Sequence, residues 1–297
     1  MSGASLTLFK RKEKVMDKAI KRYWPIFALP TMLAFTIGFI APFVLGIYLS
    51  FCKFTTVTDA KWVGLSNYLK MFNDPSDPFL HSMWYTALFT IVSVLLINVL
   101  AFTVAMFLTK KFRGTNIFRT VFFMPNLIGG IILGYVWKLL LDGVLAYFGK
   151  TLTFSETYGF WGLVILMCWQ QIGYMMIIYI SGIQNIPGEL VEAAKIDGAN
   201  SRQILKNVII PMVMPSITVC TFLTLTNGFK LFDQNLALTN GAPSKMSEML
   251  ALNIYNTFYG RNGYEGVGQA KAVLFFIMVA IIALTQNILT RRKEVQQ

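Results

Sequence analysis

The segment from Gly143 to Thr151 is the stretch whose residue types most suggest phosphate chemistry, because it reads GVLAYFGKT. A P-loop has four residues between its first glycine and the Gly-Lys-Ser/Thr that follows. Five apolar residues occupy that interval in this chain, so the spacing is one residue too long and the interior lacks polar groups. A nucleotide site is therefore not expected in this segment.

Histidine and cysteine, the usual metal ligands and nucleophiles, are few and scattered. His81 is the single histidine, so a histidine-based metal or acid/base site lacks a second member. Cys52, Cys168 and Cys220 lie in or beside apolar segments without CxxC spacing, which predicts small buried side chains. The sequence thus predicts no catalytic residue, no cofactor and no metal site.

A polar island with the sequence PGELVEAAKIDGA (187–199) lies between two long apolar runs. Its pattern predicts the first of two short amphipathic helices, roughly 188–196 and 201–209. Gly198 can adopt the left-handed conformation that ends the first helix. Ser201 is predicted to cap the second helix. A loop that only connected two membrane spans would not need two helices.

The first of these helices has the composition of a partner-binding helix. It mixes charged residues with small and apolar ones, and small residues allow another surface to approach closely. We therefore predict that it docks into a cleft on a partner protein, while a connector whose charges only keep it solvated is the alternative. The residues concerned are Glu189, Leu190, Glu192, Ala193, Ala194, Lys195, Ile196 and Asp197.

The composition favours a membrane protein. Hydrophobic residues make up 55% of the 297 residues and charged residues only 13%, against about 25% charged in soluble domains. The apolar runs approach the ~20 residues that a bilayer core requires. We predict an all-α polytopic membrane protein with six transmembrane helices, at about 24–51, 84–108, 118–141, 158–183, 212–236 and 268–290. The predicted tails are 1–23 and 291–297, and the island lies in a predicted loop, 184–211.

The distribution of basic residues predicts the orientation. Of the 26 Lys and Arg, 17 lie in the two tails, the connection between the second and third spans counted through Arg119, and the loop 184–211. Since cytoplasmic segments carry the excess of Lys and Arg, both termini and the island are expected in the cytoplasm. The net charge of +12 could suggest nucleic-acid binding, but most of the basic residues flank apolar runs. This position favours an interaction with anionic lipid headgroups.

Polar side chains inside the spans are candidates for the substrate pathway, because they are costly in a bilayer unless they face a cavity or the bundle interior. Two sets share helix faces and include neighbouring aromatic rings. Amides and hydroxyls beside rings suit a sugar, and interhelical hydrogen bonds alone are the alternative. The candidates are Gln170, Gln171 and Tyr174 on the fourth span, and Thr224, Asn227, Gly228 and Phe229 on the fifth.

Two further pairs have structural interpretations. Gly130 and Gly134 are spaced for close helix packing in the third span. Lys230 and Asp233, three positions apart near the end of the fifth span, are predicted to form a local ion pair.

The island resembles the EAA motif of the inner-membrane permease subunits of bacterial ATP-binding-cassette importers, in particular the carbohydrate branch typified by the maltose-type systems. The resemblance rests on Glu192-Ala193-Ala194, Asp197-Gly198-Ala199 and Pro211. It extends over most of the chain, although not over the first 20 residues or the C-terminal tail. Supporting matches are GLSNY (64–68), FRTVFFMP (118–125) and LTNGAP (238–243). Ile209-Ile210 precede the proline where the family often has Leu.

The resemblance implies the type I importer fold and a permease subunit of an ATP-driven sugar importer in the bacterial inner membrane. It implies three kinds of protein partner, namely a second, similar permease, two copies of a cytoplasmic ATPase that hydrolyses the ATP, and an extracytoplasmic sugar-binding protein. Glu192 would contact the ATPase and Gly198 would permit the turn. The implied coupling residues are Glu189, Glu192, Ala193, Ala194, Asp197, Gly198 and Ala199.

Three alternatives remain at this point. A secondary transporter would require intramembrane acidic residues, of which the spans have very few. An intramembrane enzyme would require clustered nucleophiles or acid/base groups, which the sequence does not show. The same fold could also carry an amino acid, phosphate or a metal instead of a sugar.

Overall fold

The computed structural model describes residues 23–110 and 114–291, and nearly all of the two predicted basic tails lies outside the described residues. Within those ranges, four helices are long and apolar enough to cross a membrane, and two bent helix pairs raise the number to six if each pair is one span. The four are α1 Tyr23–Ser50, α3 Phe79–Leu108, α6 Glu156–Gln184 and α12 Glu265–Arg291, with α2 Ser66–Asn73 between the first two.

The third predicted span is not one straight helix. Residues 118–141 are divided between α4 (Thr115–Leu127) and α5 (Gly130–Ala146), which meet at 102°. Pro125 lies in the 3₁₀ turn that ends α4, and Gly129 is extended. Proline cannot donate the backbone hydrogen bond of a helix interior and clashes with the preceding turn, so the helix ends there.

The fifth predicted span, 212–236, is likewise interrupted. After α7 (Gly188–Ile196), helix α8 (Ser201–Met212) meets α9 (Met214–Phe229) at 69°. Prolines lie on both sides of this bend, at positions 211 and 215. The chain breaks again after Phe229, and the last predicted residues of the span belong to a separate helix, α10 (Asp233–Leu238).

The two longest predicted loops contain additional elements. In the loop 52–83, α2 follows β1 (Cys52–Lys53) and β2 (Lys61–Trp62), which pair antiparallel with Cys52 opposite Trp62. The loop 237–267 contains an eleven-residue helix, α11 (Leu250–Gly260).

The main core lies where α3 and α6 pack together. Tyr85 and Phe89 contact Phe160 at one end of this interface, and Phe102 contacts Tyr179 at the other. Because residue numbers rise in the same direction along both helices, α3 and α6 are parallel neighbours along most of their length. All three cysteines are buried, as predicted.

Glycines permit two close approaches in this bundle. A Cβ atom on Gly130 would lie 2.7 Å from the Cβ of Asp233, and one on Gly134 would lie 2.6 Å from the Cβ of Ala237. The predicted close packing at these glycines is confirmed, with α10 as the partner. A Cβ on Gly173 of α6 would overlap the backbone carbonyl of Phe122, so α4 passes directly over this glycine.

Replacing Gly173 by alanine should therefore destabilise the fold, because the overlapping atom belongs to the backbone of α4 and cannot rotate away. We expect the Tm of the purified protein in detergent to fall by roughly 2–10 °C. Gly143→Ala in α5 is the matched control, since nothing lies within 4 Å of a Cβ at that position. Equal melting temperatures for the two variants would contradict this packing.

Candidate functional site

The island forms the two short helices that its sequence predicts. Gly198 follows α7 with φ of +76°, in the left-handed region. The N–H of Ala199 donates to the carbonyl of Ala194 at 2.9 Å, and the N–H of Gly198 donates to that of Lys195 at 3.1 Å. These two bonds make the glycine-terminated helix end known as a Schellman motif. The direction in which the chain leaves α7 is therefore fixed by backbone hydrogen bonds.

The cap of α8 is Asn200 and not Ser201. The Asn200 side-chain oxygen accepts hydrogen bonds from the backbone N–H groups of Arg202 and Gln203, at 3.1 and 3.0 Å. The Gln203 side chain accepts in return from the N–H of Asn200 at 2.8 Å. This is a reciprocal capping box, and the Asn-x-x-Gln spacing was the signal that could have identified it.

Helix α7 presents the predicted coupling residues to the outside. Glu189, Glu192, Ala193, Asp197 and Gly198 are exposed, and no residue of the helix is buried. Its main packing partner in the described chain is the neighbouring α8.

Two of the apolar side chains of α7 are exposed as well. Ile196 is 87% exposed and Leu190 is 43% exposed. Large apolar side chains exposed on a helix that lacks a buried face are typical of a protein-binding surface. The remaining two coupling residues, Ala194 and Ala199, are half-buried.

A polar cavity of about 340 Å³ brings together two of the predicted pathway residues, Gln171 from α6 and Asn227 from α9. The Asn227 amide donates to the Gln171 side-chain oxygen at 3.4 Å. The cavity opens where the chain breaks between α9 and α10, and five of its six other lining residues lie in this break or in the first turn of α10. The six are Met167, Lys230, Leu231, Phe232, Asp233 and Gln234, none of which was predicted as a pathway residue.

Gln170 lies behind this cavity wall. It is buried, donates to the carbonyl of Ile128 at 3.3 Å, and accepts from the Gln234 side chain at 2.8 Å. Gln170 therefore holds the cavity residue Gln234 and the bend between α4 and α5 in place.

The other predicted pathway residues lie outside the cavity lining. Thr224, Gly228 and Phe229 are buried between helices, and a Cβ on Gly228 would meet Thr90 at 2.9 Å. The Tyr174 ring packs against Phe123. These four residues pack between helices, and Thr224 also makes an interhelical hydrogen bond of the kind given as the alternative interpretation.

An interhelical hydrogen-bond chain accounts for Thr224. Its hydroxyl accepts from the Asn98 amide at 3.0 Å, and the Tyr179 hydroxyl donates to the Asn98 side-chain oxygen at 2.6 Å. The chain links α3, α6 and α9. Asn98 was not predicted, although an amide within the apolar run of α3 was the available signal.

The predicted ion pair between Lys230 and Asp233 is not among the ion pairs of the described residues. Both side chains are exposed and line the cavity instead. The break after Phe229 explains this difference, because the two residues do not share a continuous helix.

A buried ionic cluster, which sequence reasoning missed, lies at the end of the bundle opposite the island. Lys271 of α12 is fully buried. Its ammonium donates to Asp77 at 2.5 Å, to the Asn253 side-chain oxygen at 2.7 Å and to the Thr257 hydroxyl at 2.7 Å. Arg261 donates to Asp77 at 3.2 Å. The cluster joins the loop before α3 to both α11 and α12.

The loop before α3 is also held by Asp74. Ser76 donates to its carboxylate through both the hydroxyl and the backbone N–H, and Arg261 donates at 2.8 Å. Hydrogen bonds from Ser76 and the Arg261 guanidinium hold the pKa of Asp74 well below its usual range, so this carboxylate is ionised at neutral pH.

His81 has a carboxylate partner that the sequence did not reveal. Its Nε2 lies 3.2 Å from a carboxylate oxygen of Glu156, which joins the adjacent ends of α3 and α6. Within the described residues, no three or more metal-ligating side chains come together. The geometry fits a structural contact between the two helices.

Known proteins with similar sequences include sugar permeases. The chain is 43% identical over 283 residues to the probable starch degradation products transport system permease protein AmyD of Thermoanaerobacterium thermosulfurigenes, covering 92% of this chain and 95% of that protein. It is 32% identical to the multiple sugar-binding transport system permease protein MsmF of Streptococcus mutans, covering 94% and 99%.

A solved structure shows the fold. The chain matches a subunit of a bacterial ABC transporter involved in import of the acidic polysaccharide alginate with a TM-score of 0.77, at 20% identity and with coverage of 93% of this chain and 98% of that one. The expected all-α importer permease fold is thereby confirmed.

A family model covers most of the membrane-spanning region. Residues 97–295 match the model described as binding-protein-dependent transport system inner membrane component. Together with the near full-length relatives, this match shows that the chain is a multi-pass membrane protein that belongs to the family of inner membrane components of binding-protein-dependent transport systems.

Proposed function

We propose that this permease imports oligosaccharides, that it provides half of the translocation pathway, and that α7 couples it to a cytoplasmic ATPase. The observation that carries the coupling role is the exposure of α7, which combines Glu192 with the bare apolar side chain of Ile196. Members of this family are transport permeases and not enzymes. This membership argues against the intramembrane enzyme and the ion-driven secondary transporter.

The two caps of the island support a lever mechanism. The backbone bonds around Gly198 and the capping box of Asn200 make α7, its turn and the start of α8 one stiff unit. A force applied to α7 by closure of an ATPase dimer would therefore reach α8 and α9 without being absorbed by a flexible turn. This movement would switch the cavity between inward-facing and outward-facing states.

The cavity chemistry and the relatives support a sugar as cargo. Gln171, Asn227 and Gln234 supply amide donors and acceptors, which suit the hydroxyl groups of a carbohydrate. The relatives named above transport starch degradation products and multiple sugars. These amides can serve either hydrogen-bonding role, as the hydroxyl groups of a neutral polyhydroxyl compound require.

The proposed assembly contains a second, homologous permease that forms a heterodimer with this chain, two copies of the ATPase and an extracytoplasmic sugar-binding protein. The proposed location is the bacterial inner membrane with both termini and the loop 184–211 in the cytoplasm, as the basic residues indicate. The buried cluster around Lys271 would then lie at the extracytoplasmic end.

Loss of the exposed contacts of α7 should release the ATPase. We expect Glu192→Ala and Ile196→Ser each to reduce co-purification of the ATPase subunit about tenfold, as for residues that dominate protein interfaces. Leu65→Ser is the control, because Leu65 is also exposed (63%) but lies in the loop at the other end of the bundle. Unchanged assembly with both α7 variants would show that this helix is not the docking element.

Gly198→Ala tests the turn separately from the docking surface. Nothing lies within 4 Å of a Cβ at this position, so the strain comes only from the positive φ and should cost about 1–2 kcal/mol. We expect weaker coupling, measured as reduced ATP hydrolysis stimulated by the loaded binding protein. Gly188→Ala, which has equal space but no positive φ, should retain normal stimulation. The turn is dispensable if both variants match the unmodified transporter.

The cavity residues should affect uptake of substrate. We expect Gln171→Ala and Asn227→Ala to slow initial uptake of labelled maltose into proteoliposomes containing the complete transporter by about tenfold, because each removes an amide that would bind hydroxyl groups. Thr226→Ala is the control on the same helix, since its hydroxyl bonds within α9 and does not line the cavity. Equal rates for all three variants would argue against this cavity as the pathway.

A further inference from the structure

We propose that the aromatic face of α11 binds successive sugar rings of an oligosaccharide and extends the polar cavity towards the end of the bundle opposite the island. This inference rests on the proposed function and adds a second binding surface to it. The surface comprises Phe232, Tyr255 and Tyr259, with Gln269 of α12 beside them. We call it the aromatic surface.

The aromatic surface is continuous with the polar cavity. A second cavity of about 380 Å³ lies between α11 and α12, and Phe232 lines both this cavity and the first one. A ligand longer than the polar cavity could therefore pass over Phe232 and remain in contact with protein. The other lining residues of the second cavity are Ala251, Ile254, Phe258, Gly268 and Ala272.

The rings form a connected row. The centroids of Phe232 and Tyr255 are 5.1 Å apart, and those of Tyr255 and Tyr259 are 4.9 Å apart. The ring planes of Phe232 and Tyr255 meet at 57°, and those of Tyr255 and Tyr259 meet at 45°. The three rings are therefore not coplanar, and each has a face of its own. Tyr255 is 43% exposed and Tyr259 is 70% exposed, which leaves ring faces available to a ligand.

The chemistry of the aromatic surface suits a neutral sugar chain. The C–H face of a sugar ring is apolar and packs on an aromatic ring, while tyrosine hydroxyls and the Gln269 amide can bond to the hydroxyl rim. Among the described residues that line the second cavity, none is charged. The surface therefore supplies no charged side chain that would pair with an ion or with both charges of an amino acid.

The buried cluster holds the aromatic surface in place. Asn253 and Thr257 lie four positions apart on one face of α11 and bond to Lys271, whereas Tyr255 and Tyr259 lie four positions apart on the opposite face. Because the first face is anchored to α12, the rings on the second face are fixed before a ligand arrives. Such preorganisation reduces the entropy lost on binding.

The test compares uptake of a short and a long substrate. The complete transporter is reconstituted with saturating binding protein, and initial uptake of labelled maltose and maltohexaose is measured. We expect a Tyr255→Leu/Tyr259→Leu double variant to lower hexasaccharide uptake by at least tenfold relative to disaccharide uptake, at roughly fivefold per ring. The corresponding double Phe variant should retain most of the hexasaccharide uptake. Tyr147→Leu, at a site that is 93% exposed, is the control.

Each other outcome overturns the inference in a distinguishable way. Equal loss for both sugars, with loss of the second permease from the purified complex, would identify the aromatic surface as a subunit interface. Unchanged uptake of both sugars by the double Leu variant would show that the aromatic surface does not bind the hexasaccharide. Uptake of maltose but not maltohexaose by the unmodified transporter would show that no long sugar reaches this surface. Uptake of neither sugar by the unmodified transporter would contradict the proposed cargo itself.

Discussion

The ammonium group of Lys271 is the constraint on which one end of this structure depends. Removing a charge from water costs several kcal/mol, and the cost is offset only when the charge is paired and its hydrogen bonds are complete. Asp77, Asn253 and Thr257 supply three acceptors for its three protons. These acceptors come from a loop and a helix far apart in sequence. The buried charge therefore requires that loop, α11 and α12 to fold together.

The island at the opposite end is built on a different principle. Helix α7 has no buried residue, and its shape depends on backbone and side-chain caps at its end and at the start of α8. Helix α6 spans the distance between the two ends, from the Glu156 partner of His81 to Gln184 just before the island. One end is thus fixed by buried charge and the other is left exposed, with a continuous 29-residue helix between them.

The sequence was sufficient for features that depend on local pattern. Hydropathy located the four straight spans, and the glycine at position 198 located the end of α7. Hydropathy measures apolar length and not chain direction, so it could not show the bends near Pro125 and Pro211. Lys271 was missed because a single cation in an apolar run carries no sign of its partner. That partner, Asp77, lies 194 positions earlier in the chain.

The irregularities that sequence reasoning missed are also what form the cavity. Backbone outside regular helices is tolerated at membrane depth where it is buried in protein or lines a water-filled space. The break between α9 and α10 meets this condition, because it brings Lys230, Phe232 and Asp233 to the cavity wall. Gly130 and Gly134 then let α10 pack closely on α5, which fixes the far side of the break. A straight fifth span would have kept the same residues on a continuous helix and left this cavity unformed.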